Sequence, residues 1–182
     1  MKKIVLFATI LSCIGFAANA QNASSTATQT VNLALSNAIE LTFTGSGTAT
    51  GSAVTLSFTT VNDYANGVQS GAQQLKVRSN KAFGVTVKTN NANFTYSGTT
   101  SPAPVMPVSG VLAAKVSANS TGGTIAGTFS GFTGLTSTAQ NLISNGTYGG
   151  NQLFSVMYEA TPGFAYPAGT YTVDVVYTAT QN

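Results

Sequence analysis

The chain has 182 residues, of which only 6% are charged, and it contains neither His nor Trp. So low a charge, against about 25% in an ordinary soluble domain, leaves no electrostatic footprint for nucleic acid. The absence of His, with Cys13 the single cysteine, excludes the common His-assisted nucleophilic catalysis and starves a transition-metal site of ligands.

Lys2 and Lys3, the apolar run over 4–17 and the small-x-small triplet Ala18-Asn19-Ala20 read as an export signal over 1–20, cleaved to leave Gln21 first. The run is too short to be a comfortable membrane span. Ile10-Leu11-Ser12-Cys13 loosely resembles a lipoprotein box and would put a lipid on Cys13. The chain stays apolar beyond it and a better cleavage site follows, so the cleaved signal is preferred. Lys76, Arg78, Lys81, Lys88 and Lys115 then face Glu40, Asp63, Glu159 and Asp174, a side-chain balance of +1. The mature chain has no disulfide, and it is long enough to bury a core without one.

Residues 21–30 are small and polar, as in a flexible arm, and 31–182 is read as a single domain. Val31, Leu33 and Leu35 alternate with polar or small residues and predict a first strand. Ile39, Leu41 and Phe43 then predict a second, or the same strand after a bulge. Gly45, Gly47 and Gly51 form a linker; a phosphate-cradling loop would have to open a helix, and strand-patterned residues follow instead. Val54, Leu56 and Phe58 predict a strand, and the stretch from Asn62 to Gly67 a turn.

Leu75 and Val77, then Phe83, Val85 and Val87, predict a hairpin closed by Ser79-Asn80-Lys81. Its lysines and Arg78 mark a solvent face. Phe94 and Tyr96 predict a short strand, and Leu112, Ala114 and Val116 the inner face of another. A strand weakened by Gly127 and Gly131 is expected over 125–132. Ser137 to Gln140 offers a cap for a helical turn through Asn141, Leu142 and Ile143. Phe154, Val156 and Tyr158 alternate along a late strand. Finally Tyr171, Val173, Val175 and Tyr177 predict the inward face of a central strand over 170–180, with Asp174 facing solvent. The sum is an all-β chain, a Greek-key (immunoglobulin/pilin-like) sandwich of about 8–10 short strands.

Chemistry is thinly supplied. No Ser-x-x-Lys occurs to build a Ser-Lys pair. The four acids are scattered, and exposed strand charges that discourage edge pairing explain them better than a glycosidase pair. Asn62, Asp63 and Asn66 offer oxygens to calcium, but one carboxylate binds it weakly and turn chemistry covers the same residues. Catalytic, cofactor and metal sites are therefore expected to be absent. A membrane β-barrel would need strands of roughly nine to eleven residues, longer than most here. Tyr64, Tyr96, Tyr148 and Tyr166 lie in or near loops, where they would either stack on sugar rings or close the ends of the core.

The ending from Pro167 to Thr180, PAGTYTVDVVYTAT, resembles the last strand of exported bacterial surface proteins with a pilin-like sandwich. The spore coat U family is nearest, and the cell-surface domains with Trp-x-Leu motifs are more distant. Val31-Asn-Leu-Ala-Leu35 and Leu75-Lys-Val-Arg-Ser-Asn80 fit the same layout. Those families often carry a cysteine pair or Trp-x-Leu motifs, and this chain has neither. The resemblance implies a non-enzymatic structural or adhesive subunit in the periplasm, at the cell surface or outside the cell. Such a subunit associates with itself or with other surface subunits, in some cases by strand exchange. The candidate donor strand is 21–36, with Val31, Leu33 and Leu35 as its apolar positions, unless those residues pair within their own domain. The second reading is a carbohydrate-binding surface module that uses the four loop tyrosines.

Overall fold

The computed structural model describes residues 24–182; the expected signal and Cys13 lie outside the described residues. Two units are distinguished, 1–34 and 35–182. In the first, residues 24–34 form neither helix nor strand and are exposed throughout. The strand expected at Val31, Leu33 and Leu35 does not form.

The second unit is an all-β sandwich of antiparallel strands. One sheet is ordered β1 (Ile39–Phe43), β3 (Gln73–Ser79), β10 (Gly149–Ala160), β6 (Leu112–Asn119) and β8 (Thr133–Gly134), with β2 (Val68–Gln69) also on β10. The other is ordered β12 (Val175–Gln181), β4 (Phe83–Thr89), β9 (Gln140–Gly146) and β7 (Thr124–Ile125). A two-stranded ribbon, β5 (Thr95–Ser97) with β11 (Thr170–Thr172), completes the set. The described residues hold twelve strands where eight to ten were expected, because β2, β7 and β8 are two-residue fragments and the last strand is split.

The core lies where alternate residues of the two sheets meet, as period-two patterning requires. Leu75, Val77, Ala114, Val116, Phe154 and Val156 come from the first sheet; Phe83, Val85, Val87, Leu142 and Ile143 from the second; all are buried in one cluster. Phe154 meets Tyr177 of β12 edge-on at 6.4 Å. The hydroxyls of Tyr158 and Tyr177 join across the sheets at 2.8 Å. Burial pushes the Tyr177 phenol well above its ordinary range, and burial also raises that of Tyr158.

Several local expectations fail for identifiable reasons. Ser79-Asn80-Lys81 does not close a hairpin: β3 and β4 belong to different sheets, so the link is a corner between layers. Both strands aim apolar residues at the same core from opposite sides, which looks identical to a hairpin in sequence. Asn80 staples this corner, accepting from Ala38 N–H at 2.9 Å and donating to Ser36 C=O at 2.7 Å. Gln181 adds bonds to Ala38 C=O, Ser79 Oγ and Asn80 Oδ1.

The helical turn expected through Asn141–Ile143 is instead strand β9. Its pairing with β4 shifts register between Val85 opposite Ile143 and Thr86 opposite Asn141. Leu142 is the extra residue of that bulge, which lets both Leu142 and Ile143 enter the core. The helix forms where a turn was expected, at α1 (Val61–Asn66). Thr60 and Asp63 make a reciprocal capping box there. Over 125–132 only Ile125 is in a strand; Gly127–Ser130 is a 3-10 turn that buries Phe129.

Of the face expected to point inward, Val173, Val175 and Tyr177 pack on the core, joined by Ala179, whereas Tyr171 is absent from that cluster because it sits in β11, paired with β5 in the separate ribbon. The C-terminal strand is not central: β12 is the edge of its sheet, with β4 its one ladder among the described residues. The break lies at Val173–Asp174. Asn90 exchanges main-chain and side-chain bonds with Asp174 there, and the strand changes partner from β5 to β4.

Candidate ligand cleft

Residues 52–60 follow the turn after β1. The strand expected at Val54, Leu56 and Phe58 is absent: 52–58 pairs with no described strand and makes no backbone hydrogen bond to a described residue. Strand-like alternation survives all the same, with Leu56 and Phe58 half-buried against the core and Thr55, Ser57 and Thr59 exposed. The segment ends at α1, where Thr59 and Thr60 N–H donate to the Asp63 carboxylate at 2.8 and 2.7 Å. Those two backbone bonds hold the Asp63 pKa below its ordinary value.

This segment forms one wall of a cleft of about 560 Å³, within the range of small-ligand sites. Residues 166–173 form the facing wall, and Phe94, Met106, Leu112 and Tyr158 lie among its apolar lining. No Asp, Glu, Lys or Arg lines it. Aromatic rings crowd its rim. Phe58 lies 5.4 Å from Tyr64, and Tyr64 stacks on Phe164 at 5.5 Å and 24°. Tyr171 touches both Tyr96 and Tyr166, at 5.1 and 6.4 Å. Burial, followed by the neighbouring Tyr96 and Tyr166 phenols, raises the Tyr171 pKa.

The four loop tyrosines therefore part company. Tyr64 and Tyr166 line the cleft. Tyr96 is a clamp between β5 and the chain entering β11: its hydroxyl donates to Ala168 C=O at 3.1 Å and accepts from Thr100 N–H at 3.2 Å. A Cβ on either Gly98 or Gly169 would strike its ring or hydroxyl, so both glycines are needed for its seat. Tyr148 stands elsewhere, 72% exposed beside the start of β1 and the β3 corner. Sequence reading missed Phe58 and Tyr171 as cleft residues, because both were absorbed into strand patterns; it also missed Phe164, which carried no pattern and which stacks on the lining residue Tyr64.

The acids all have structural work. Glu40 pairs with Arg78 at 3.5 Å, Glu159 accepts from Gln69 at 2.8 Å, Asp174 accepts from Asn90, and Asp63 caps α1. The Asn66 side chain donates to Asn62 C=O, so the three residues considered for calcium hold the helix together. Among the described residues no three His, Cys, Asp or Glu side chains gather as a metal site would need. No helix among them is long and apolar enough to cross a membrane.

A scan against protein-family models and a search of curated proteins each returned no match.

Proposed function

We propose that the chain is an exported, non-enzymatic structural or adhesive subunit of a bacterial surface or extracellular assembly, of the pilin-like kind. In this reading it associates with further copies, or with other surface subunits, through its N-terminal arm. The observation that carries it is the exposure of Val31, Leu33 and Leu35, at 75, 85 and 88%. Three large apolar side chains at alternate positions, outside any strand, cost free energy in water and gain it when a partner covers them. No charged side chain falls between Lys3 and Glu40, so no side-chain charge on the arm opposes such packing. The test is the mass of the mature chain in solution beside a V31S/L33S/L35S variant. Concentration-dependent oligomers that the substitutions abolish support the reading; a monomer at every concentration overturns it.

A second reading rests on the stacked Tyr64–Phe164 pair, whose Phe164 is 68% exposed. Flat aromatic surface at the rim of an uncharged cleft suits a neutral sugar ring. A glycan array with Tyr64→Ala and Tyr166→Ala tests it. Binding that neither change weakens, or no binding at all, removes it.

A further inference from the structure

We propose that the interior of the cleft binds a small uncharged molecule with an apolar ring body and one or two hydroxyl or carbonyl groups. The inference is independent of the arm, which uses other residues, and it goes beyond sugar stacking, which uses only the rim.

The recess itself is the first observation. Protein interiors are close-packed, yet about 560 Å³ stays open above side chains that belong to the core side of the sandwich. Met106, Val111, Leu112, Tyr158 and Ala160 are all buried, and all border this space. Water against so apolar a floor finds few hydrogen-bond partners, and an apolar guest that displaces it gains affinity. A recess of this size, mostly apolar with a few polar groups converging on it, has the make-up of a small-molecule site.

The chemistry of the lining selects the ligand. No Asp, Glu, Lys or Arg lines the cleft, so a charged guest would lose its water without gaining a partner. A sugar carries hydroxyls all round its ring, and those turned toward Met106 and Leu112 would go unmatched. Flat rings suit the aromatic side chains at the mouth, where Tyr64 lies between Phe58 and Phe164 at 5.4 and 5.5 Å. A rigid ring body also loses less rotational freedom on binding than a flexible chain of equal area. Polar handles are few but present. Of the four tyrosines in the lining, Tyr158 and Tyr171 spend their hydroxyls on Tyr177 and Pro167. Those of Tyr64 and Tyr166 bond to no described residue, and the main chain of Thr55 and Ser57 is equally free among the described residues. They are placed to meet a hydroxyl or a carbonyl.

The experiment uses the mature chain carrying V31S/L33S/L35S, so that the exposed arm does not itself take up an apolar dye. The probe is N-phenylnaphthylamine, neutral and bright only in apolar surroundings, beside anilinonaphthalene sulfonate, the same ring body with a negative charge. Saturable one-to-one binding of the neutral dye is expected, with the sulfonate at least about tenfold weaker. With methyl-labelled methionine, the Met106 signal should shift on titration, while that of Met157, which does not line the cleft, should stay. This readout needs no substitution in the cleft. Phe58→Ala, and Ala53→Trp at an exposed lining residue, should each weaken binding at least about fivefold; a cooperative unfolding transition checks that each variant is folded. No saturable binding, equal binding of the two dyes, or a shift at Met157 without one at Met106 overturns the proposal. Binding indifferent to both folded cleft variants overturns it too. Displacement of the dye by neutral oligosaccharides assigns the interior to sugar recognition and has the same result. None of these outcomes bears on the arm, whose test is the mass of the chain in solution.

Discussion

Two neighbouring segments carry nearly the same pattern, Ile39-Glu-Leu-Thr-Phe43 and Val54-Thr-Leu-Ser-Phe58. The first is strand β1, laddered to β3 from Ile39 opposite Ser79 to Phe43 opposite Leu75. The second has the side-chain alternation of a strand and no ladder. Phe43 reaches Tyr177 edge-on at 6.2 Å, inside the closed part of the sandwich; Phe58 meets Tyr64 at the rim of the cleft. Alternation therefore specifies which face a segment buries. It does not specify a partner, which depends on whether a strand edge is within reach.

The comparison can be broken or sharpened by measurement. The largest effect belongs to the closed region: Phe154→Ala should cost about 3–5 kcal/mol in urea unfolding, the usual loss for a fully buried ring. Phe43→Ala, half-buried but laddered, should cost about 2 kcal/mol, and Phe58→Ala about 1 kcal/mol. Equal losses for the two would mean that the open segment is held as firmly as the paired one. Amide exchange gives a direct reading, with Thr42, at a hydrogen-bonded position of the β1–β3 ladder, protected and Thr55 and Ser57 exchanging at nearly free rates.

Tyr158→Phe should cost about 1 kcal/mol by deleting the cross-sheet hydroxyl bond. The Tyr158 and Tyr177 phenols have native pKa values raised above the unfolded value of about 10. Their contribution is fully present below pH ~10 and is lost as pH rises through the native values. Unfolding followed from pH 9 upward should show that loss, and the double variant Y158F/Y177F should flatten it.

The smallest effect lies at α1. The Asp63 pKa is depressed, so its cap stabilises above the unfolded carboxylate pKa and weakens as pH falls through the native one. Asp63→Asn should lower the thermal midpoint slightly at neutral pH and remove that acid dependence.

Faces were legible in the sequence; pairings were not. Leu75, Val77, Phe83, Val85, Val87, Phe154 and Val156 all point into the core that their alternation announces. The corner at Asn80 was not legible, because a short polar link serves a hairpin and a sheet-to-sheet crossing equally well. Leu142-Ile143 broke the period of two through a bulge and so looked helical. The capping box at Thr60–Asp63 was in plain sight but sat over a segment too short for helical periodicity to register. Of the site, Tyr64 and Tyr166 could be named in advance. Their convergence could not, since it depends on how 52–58 and 166–173 fold back beside each other.

The Gln181 clasp has a kinetic consequence. Gln181 bonds to Ala38 across 143 residues, and β12 on the same strand supplies Tyr177 to the core. Contacts so distant in the chain pay a large loop-closure entropy and form late. The sandwich thus stays unlatched until β12 is free to join it. A chain that crosses a membrane from its N-terminal side would remain threadable for almost the whole passage, and would lock only after that strand had emerged.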